Sequence, residues 1–392
     1  MTDTQRQQVS AAALREATLD ALVCALPKNV LMLSGYWPVI GTGVAIALRD
    51  GETRLLVPED ELTLAQGGEA RRIETFRPGS LDRISTASEA IIEPLQRIAP
   101  ELARSGARIG FESGETSEPV TYAAMHLYQD ALRDALASAF CSAELVPSPA
   151  VLTRLRRNKT AYEIDMIRRS TDVARIAFER GSQSLRPGLS ELEAAAAFQN
   201  LLIPVSNRAQ GFVFCMSGPN AAEAYGAYAR SRGRRMRAGD LVLVHCNSCV
   251  DGYWTDITRT YVIGPPDERQ QRMYDAIFAA RDAVLRTIAP GKEAREVDRG
   301  ARDILTARGF GTDFKHSTGH GIGFGAISAS DQPRLHPQSP DVLEPGMVFN
   351  VEPGIYIDGY GGMRHCDMVA VTTTGYELLT DFEASVAKLV RE

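Results

Sequence analysis

The chain has 392 residues, 44% hydrophobic and 23% charged, the balance of an ordinary soluble globular protein, and its length suits two or three domains rather than one core. Its formal charge of −6 leaves no electrostatic footprint for nucleic acid, and no apolar run nears the roughly 18 residues needed to span a bilayer. The polar stretch from Met1 to Leu14 lacks the apolar core of a secretion signal, so a cytoplasmic protein is expected. Six cysteines (Cys24, Cys141, Cys215, Cys246, Cys249 and Cys366) are too few and too scattered for a disulfide framework. Cys246 and Cys249 have CxxC spacing, but without a second pair they read as strand residues rather than a zinc knuckle.

From about residue 20 to 147, short apolar runs alternate with helical stretches. Ala21–Leu26, Val44–Leu48, Arg54–Val57 and Ile109–Phe111 read as strands of an α/β domain over 1–150. Val146-Pro147-Ser148-Pro149 reads as a linker. After it, Thr160 and Glu163 form a capping box that opens a long helix to about Gly181. Residues 151–392 then carry a weak internal repeat. Pro187-Gly188 precedes a helix capped by Ser190 with Glu193. Pro290-Gly291 precedes another, whose apolar face is Ala294, Val297, Ala301, Ile304 and Leu305. Pro187 lies 58 residues before His245, and Pro290 lies 62 before Glu352. Each half reads helix, Pro-Gly, helix, strand pair, which predicts an α+β domain with pseudo-two-fold symmetry and a site between its halves. Between them, Arg230, Arg232, Arg234, Arg235 and Arg237 read as a solvated loop rather than an anion clamp.

Asp240 to His245 is a buried strand by its apolar run, Asp251-Gly252 is a turn, and Tyr253 to Val262 returns as partner. That hairpin can bring His245 beside Asp256. A second hairpin, Met347–Tyr356 returning at Met363–Thr372, can do the same for Glu352 and Cys366. His320 sits in Gly319-His320-Gly321-Ile322-Gly323, where backbones can approach closely. A carboxylate in the apolar run around Glu352 would be costly without a partner. A histidine, two carboxylates and further metal-capable side chains on separate short elements are what a hydrolytic metal site needs. Arg364 lies two residues from Cys366 and shares its face, placed for a substrate carboxylate or a buried acid. His365 should point the other way.

The strings Asp251-Gly252-Tyr253-Trp254-Thr255-Asp256-Ile257-Thr258-Arg259-Thr260, Gly319–Gly323 and Asn350-Val351-Glu352-Pro353-Gly354-Ile355-Tyr356 resemble those of the creatinase/aminopeptidase P/prolidase superfamily, which has the pita-bread fold. The resemblance is strong from about 240 to 370, moderate from 150 to 240 and faint before that. It implies an α/β N-terminal domain over 1–150 and a pita-bread catalytic domain over 151–392. Peptidase members of the superfamily hold two divalent metals with Asp, Asp, His, Glu and Glu. Asp256, His320 and Glu352 match the second, third and fourth positions; the first is His245 and the fifth is Cys366. Both replacements can still bind metal. Four carboxylates would give −4, whereas Asp256, Glu352 and a Cys366 thiolate give at most −3. Neutral imidazole cannot bridge two metals through one nitrogen. One divalent ion is therefore expected, zinc or iron favoured over manganese, with a metal-free site as the alternative. His316 matches a family histidine that lies near substrate, while two further family histidines are here Ile327 and Tyr225. Tyr225 can donate a hydrogen bond or proton, or simply pack.

These readings lead to an Xaa-Pro peptidase-like, metal-dependent hydrolase of a C–N bond in a small amide or dipeptide-like substrate. Its metal would be held by His245, Asp256, His320, Glu352 and Cys366. Glu352 or a neighbouring acid would shuttle the proton, and His316 or Tyr225 would steady the oxyanion. Arg364 would bind substrate. Alternatives are a metal-free creatinase-like amidinohydrolase, a Cys366 nucleophile paired with His245 or His320, and a non-catalytic binding protein of the same fold. The resemblance also implies a homodimer, with Tyr36-Trp37-Pro38 walling the substrate.

Overall fold

A computed structural model describes residues 3–39, 42–77, 81–82, 86–102, 106–114, 130–203, 209–225, 230–326, 331–383 and 385–391. The chain divides into two compact units, Met1–Arg156 and Arg157–Glu392. Among the described residues no helix is long and apolar enough to cross a membrane.

The first unit is built on a mixed sheet of β1 (Ala21–Cys24), β2 (Val44–Leu48), β3 (Thr53–Pro58), β4 (Arg72–Phe76), β5 (Arg108–Phe111) and β6 (Glu144–Pro147), in the order β4-β3-β2-β1-β5-β6. β1 and β2 pair antiparallel, as do β2 and β3; the other neighbours are parallel. Helices Ala87–Leu102 and Asp130–Ala139 lay Ile91, Leu95, Ile98, Leu132 and Leu136 against Val23, Ile46, Leu56 and Ile109. β1 is buried along its whole length, hence its unbroken apolar run. The stretch expected to be a linker is instead structured. Val146-Pro147 ends β6, at the sheet edge, and Pro149 opens the helix Pro149–Arg157. Proline is tolerated in both places because neither the outer edge of a sheet nor a first helical turn needs its missing N–H.

In the second unit both expected capping boxes form. The Glu163 N–H donates to Thr160 Oγ1 (3.3 Å) and the Thr160 N–H to Glu163 Oε2 (2.8 Å), opening the helix Ala161–Gly181. Ser190 and Glu193 do the same for Glu191–Gln199. Each cap stabilises its helix by about 1 kcal/mol. One half continues with β7 (Ala209–Ser217), β8 (Leu241–Val250), β9 (Tyr253–Trp254) and β10 (Ile257–Ile263). The other has helices Glu268–Thr287 and Ala294–Ala307, then β11 (Val348–Val351), β12 (Gly354–Ile357), β13 (Gly361–Arg364), β14 (Asp367–Val371) and β15 (Tyr376–Leu378); β16 (Val390–Arg391) returns to pair with β10. All ten residues of β8 are buried, Cys246 and Cys249 among them within the strand.

Candidate active site

Two hairpins carry the site. β8 and β10 run antiparallel with Thr258 directly opposite His245, and Asp256 immediately precedes β10. The second hairpin is not one ladder but two: β11 pairs with β14, and β12 with β13. Glu352-Pro353 on one strand and His365-Cys366 on the other fill the break between them. There the backbone turns to other partners. The Glu352 N–H donates to the Thr318 carbonyl (2.8 Å), and the Cys366 N–H to the Thr258 carbonyl (3.0 Å). Thr258 thereby stitches the two hairpins together.

The glycine-rich segment approaches the second hairpin too closely for side chains. A Cβ on Gly319 would lie 1.9 Å from the Asn350 carbonyl oxygen, and one on Gly321 would lie 2.4 Å from that of Gln332. Between them, the His320 N–H donates to Asn350 Oδ1 (2.7 Å), and its Nδ1 pairs with the Gly321 carbonyl (3.1 Å). That carbonyl only accepts, so Nδ1 carries a proton and Nε2 faces the acids.

Asp256 is the hub. Its carboxylate lies 3.4 Å from His245 Nδ1, 3.5 Å from His320 Nε2 and 3.9 Å from Cys366 Sγ. The thiol itself donates to the Asp256 backbone carbonyl at 3.1 Å. Arg364, 9% exposed, enters from β13: Nη2 is 3.0 Å from His245 Nδ1, Nε donates to Thr258 Oγ1 (3.1 Å), and Nη1 is 3.8 Å from Glu352 Oε2. The five expected metal donors do not all converge on one centre. Among the described residues no three His, Cys, Asp or Glu side chains form a group able to hold an ion as they stand. The physical reason is local: the sulfur is turned to a backbone carbonyl, and a guanidinium stands between His245 and Glu352.

Burial dominates the electrostatics. It lowers the His245 pKa to about 4, so this ring is neutral at pH 7. It would lower His320 as well, but the Asp256 carboxylate facing the ring and the charge of Glu352 outweigh it and raise that ring to about 9. Glu352 is pushed up to about 7 by burial, against the pull of Arg364 and with the help of Asp256. Burial also acts to raise Asp256, yet His245, His320 and Arg364 together hold it below the usual carboxylate range. Burial beside these acids pushes the Cys366 thiol far up.

The remaining expected residues separate into those at the site and those away from it. His316 is near, but both its ring nitrogens are engaged: Nδ1 with the Ser317 carbonyl (2.7 Å) and Nε2 with the Tyr356 hydroxyl (2.8 Å). Burial takes its pKa down to about 3, so it orients Tyr356 as a neutral ring. Tyr225 is 45% exposed, packs edge-on against Tyr356 at 5.7 Å, and carries the Lys315 ammonium 4.7 Å above its ring. Arg364 is committed to protein groups rather than held open for a substrate carboxylate. Tyr36 is corrected outright as a substrate wall: it is 1% exposed and its hydroxyl is tied to Glu61 within the first unit. Trp37 is half-buried. Ile327 lies outside the described residues. His365 faces away as expected, its ring 5.0 Å from that of Phe278 and 3.5 Å from Asp367. The basic run behaves as a loop, with Arg234 on Asp240 (2.7 Å) and Arg232 on Glu223.

Sequence reasoning gave no role to Asn350, Thr258 or Tyr356. A signal existed for Asn350: a polar amide at 0% exposure amid Val348, Phe349 and Val351 must be satisfied by something, and here it sets His320. Tyr356 is packed so tightly that a Cβ on Gly354 would lie 2.7 Å from its hydroxyl.

The chemistry of the donors, rather than a formed cage, decides what they can hold. His320 has the preparation of a metal ligand, one ring N–H anchored on a carbonyl and the other nitrogen 3.5 Å from the Asp256 carboxylate, beside the Asn350 amide at 3.2 Å. Asp256 and Glu352 supply hard, buried oxygens and Cys366 a soft sulfur. This set suits a divalent ion.

Comparison with known proteins follows the same lines. The profile of metallopeptidase family M24 matches residues 165–373, and that of the creatinase/prolidase N-terminal domain matches residues 6–157. An uncharacterised peptidase of Bacillus subtilis, YqhT, is 30% identical over 325 residues, 81% of this chain and 87% of its own. The Xaa-Pro dipeptidase of Pyrococcus furiosus is 29% identical over 369 residues, covering 94% of this chain and 95% of that protein. The prolidase structure from Pyrococcus horikoshii superposes with a TM-score of 0.77 at 26% identity, over 97% of this chain and 99% of that one. The two-domain architecture, with a pita-bread C-terminal domain, is thus shared, and the family implies a divalent metal cofactor. The chain belongs to metallopeptidase family M24, in its creatinase/prolidase branch, and is a hydrolase of the metallopeptidase type.

Proposed function

We propose that this enzyme hydrolyses the C–N bond of a small dipeptide-like substrate, of the Xaa-Pro kind its relatives are named for, using one divalent ion held by Asp256, His320 and Glu352 with Cys366 as fourth donor. The observation that carries this is the set of His320, with Nδ1 fixed on Gly321 and Nε2 turned towards Asp256. Imidazole and thiol favour zinc or iron over manganese. When bound, such an ion supplies Lewis acidity, polarising the scissile carbonyl and making a nucleophile available from water near neutral pH. Glu352, buried and in reach of the Arg364 field, holds and passes the proton. Tyr225 at the rim is the neutral donor for the developing oxyanion, and the Tyr356 ring it packs against is fixed by donating its own hydroxyl proton to His316. By analogy with the family, the enzyme works as a cytoplasmic homodimer.

Metal analysis combined with Xaa-Pro dipeptide hydrolysis tests this reading. Chelation should remove the ion and the turnover together; full activity after verified metal loss sinks it. One observation favours a second reading, metal-free and creatinase-like: Arg364 and a protonated His320 already balance Asp256 and Glu352. A Cys366 nucleophile has less support, since its thiol is fully buried beside acids that oppose the thiolate. In Cys366→Ser, complete loss of chemistry with metal content intact would revive it.

A further inference from the structure

His245 stands where a two-ion site would place a carboxylate, and its surroundings show what it does instead. The ring is 7% exposed and stacks on Phe214, its cross-strand neighbour on β7, with centroids 6.1 Å apart and planes 10° from parallel. Nδ1 lies 3.0 Å from Arg364 Nη2 and 3.0 Å from Thr258 Oγ1. A guanidinium only donates, so Nδ1 is the acceptor and the ring proton sits on Nε2. A neutral imidazole has one lone pair, and here it is spent on Arg364.

Arg364 is fixed just as firmly. Nε donates to Thr258 Oγ1, Nη1 lies 3.5 Å from the Ala224 carbonyl and 3.8 Å from Glu352, and its backbone N–H and carbonyl both pair with Thr260 Oγ1 at 3.0 Å. A carboxylate at position 245 would have about four lone-pair sites, enough to receive the guanidinium and still face a cation. Histidine cannot do both. At the fifth position, the Cys366 sulfur likewise offers one atom where a glutamate offers two.

We propose that His245 is not a metal ligand but the anchor of Arg364, and that this pair closes the site to a second divalent ion. The proposal deepens the single-ion reading above and rests on it. His245 is thus a positioning residue that sets metal stoichiometry, and the guanidinium supplies fixed positive charge on the side a second ion would occupy.

The test counts ions per folded chain in a Cys141→Ser background, which removes an exposed thiol able to bind metal adventitiously. Each variant is loaded with excess Zn²⁺ or Mn²⁺, desalted, assayed by elemental analysis and checked by thermal melting. The parent should hold one ion, and so should His245→Ala and His245→Asn. His245→Asp combined with Cys366→Glu should hold two. If the double variant does not fold, His245→Asp alone should show, by calorimetric titration with Mn²⁺, a second binding event at least tenfold tighter than any second event in the parent. An empty parent overturns the single-ion reading itself. A parent with one ion whose His245→Ala variant has none makes His245 a ligand and overturns the inference alone. So does a folded double variant that stays at one ion, whereas a parent that binds two overturns the inference and the single-ion reading together.

Discussion

Asp256 and Asp367 are both carboxylates of the second unit, 2% and 0% exposed, and their surroundings differ completely. Asp367 is enclosed. Arg259 Nη2 donates to it at 2.9 Å, Thr380 Oγ1 at 2.7 Å, and Arg281 Nε also donates, with His365 close by. Burial alone would raise its pKa, but these partners hold it well below the usual range. Asp256 has three side-chain neighbours at 3.4–3.9 Å, near enough to feel their fields but beyond good hydrogen-bond length. A buried carboxylate closed by short donors is part of the architecture. One whose partners stand back by half an ångström or more has unspent lone pairs, and that is what a cofactor site requires.

The comparison breaks most visibly at Asp256. Asp256→Asn should lower kcat/KM for an Xaa-Pro dipeptide by roughly a thousandfold, the scale of losing a principal electrostatic contact at a reacting centre. The melting temperature of the chelated, metal-free variant should stay level with that of the chelated parent or rise, because a poorly satisfied buried charge has been removed. A variant that melts far below the parent would place Asp256 with Asp367 as a structural group. Asp367→Asn should give the reverse. It leaves the Arg259 guanidinium, at 0% side-chain exposure, without its counter-charge and Arg281, at 10%, with Asp282 alone, a loss of about 3–5 kcal/mol. Urea denaturation measures it directly, and a change below about 1 kcal/mol would contradict the enclosed description. Asn350→Ala removes the amide that sets His320 without touching the acids. Metal affinity or turnover should fall roughly tenfold to a hundredfold, the usual cost of an outer partner of a ligand. An unchanged affinity would mean that Gly319 and Gly321 hold the histidine unaided.

Which parts of this were readable in the sequence follows from how local their causes are. The capping boxes at Thr160 and Ser190 and the β8–β10 hairpin depend on residues a few positions apart, and all formed as expected. The proximity of His245 to Asp256 follows from that hairpin. The second hairpin was legible as a pair of strands but not as two ladders with a gap, because the gap is made by Thr318 and Thr258, distant residues that take up the backbone of Glu352 and Cys366. Tyr36 misled for the same reason: nothing within its own segment announces that Glu61, 25 residues on, binds its hydroxyl. Arg364 was placed on the right face, but its commitment to His245, 119 residues earlier in the chain, is a tertiary fact.

Asp341 sharpens the comparison from its mild end. It too is enclosed, accepting from the Arg334 N–H (2.9 Å), the Arg334 side chain (3.1 Å) and Gln332 Nε2 (2.8 Å), but the Arg334 side chain is 43% exposed and shares its charge with water. Burial works to raise the Asp341 pKa, and the Arg334 donors outweigh it and lower it. A carboxylate whose folded pKa is depressed contributes stability that is fully present above its unfolded value, about 3.9, and is lost as pH falls through the folded one. Asp341→Asn should therefore cost no more than about 1 kcal/mol at pH 7. It should also flatten part of the decline in stability below about pH 4, because the group that takes up a proton on unfolding is gone. Urea midpoints at neutral pH and near pH 3 check both halves. If the variant loses as much as Asp367→Asn at neutral pH, exposure of the partner cation does not grade these carboxylates, and the distance between donor and acceptor alone must separate structural from functional ones.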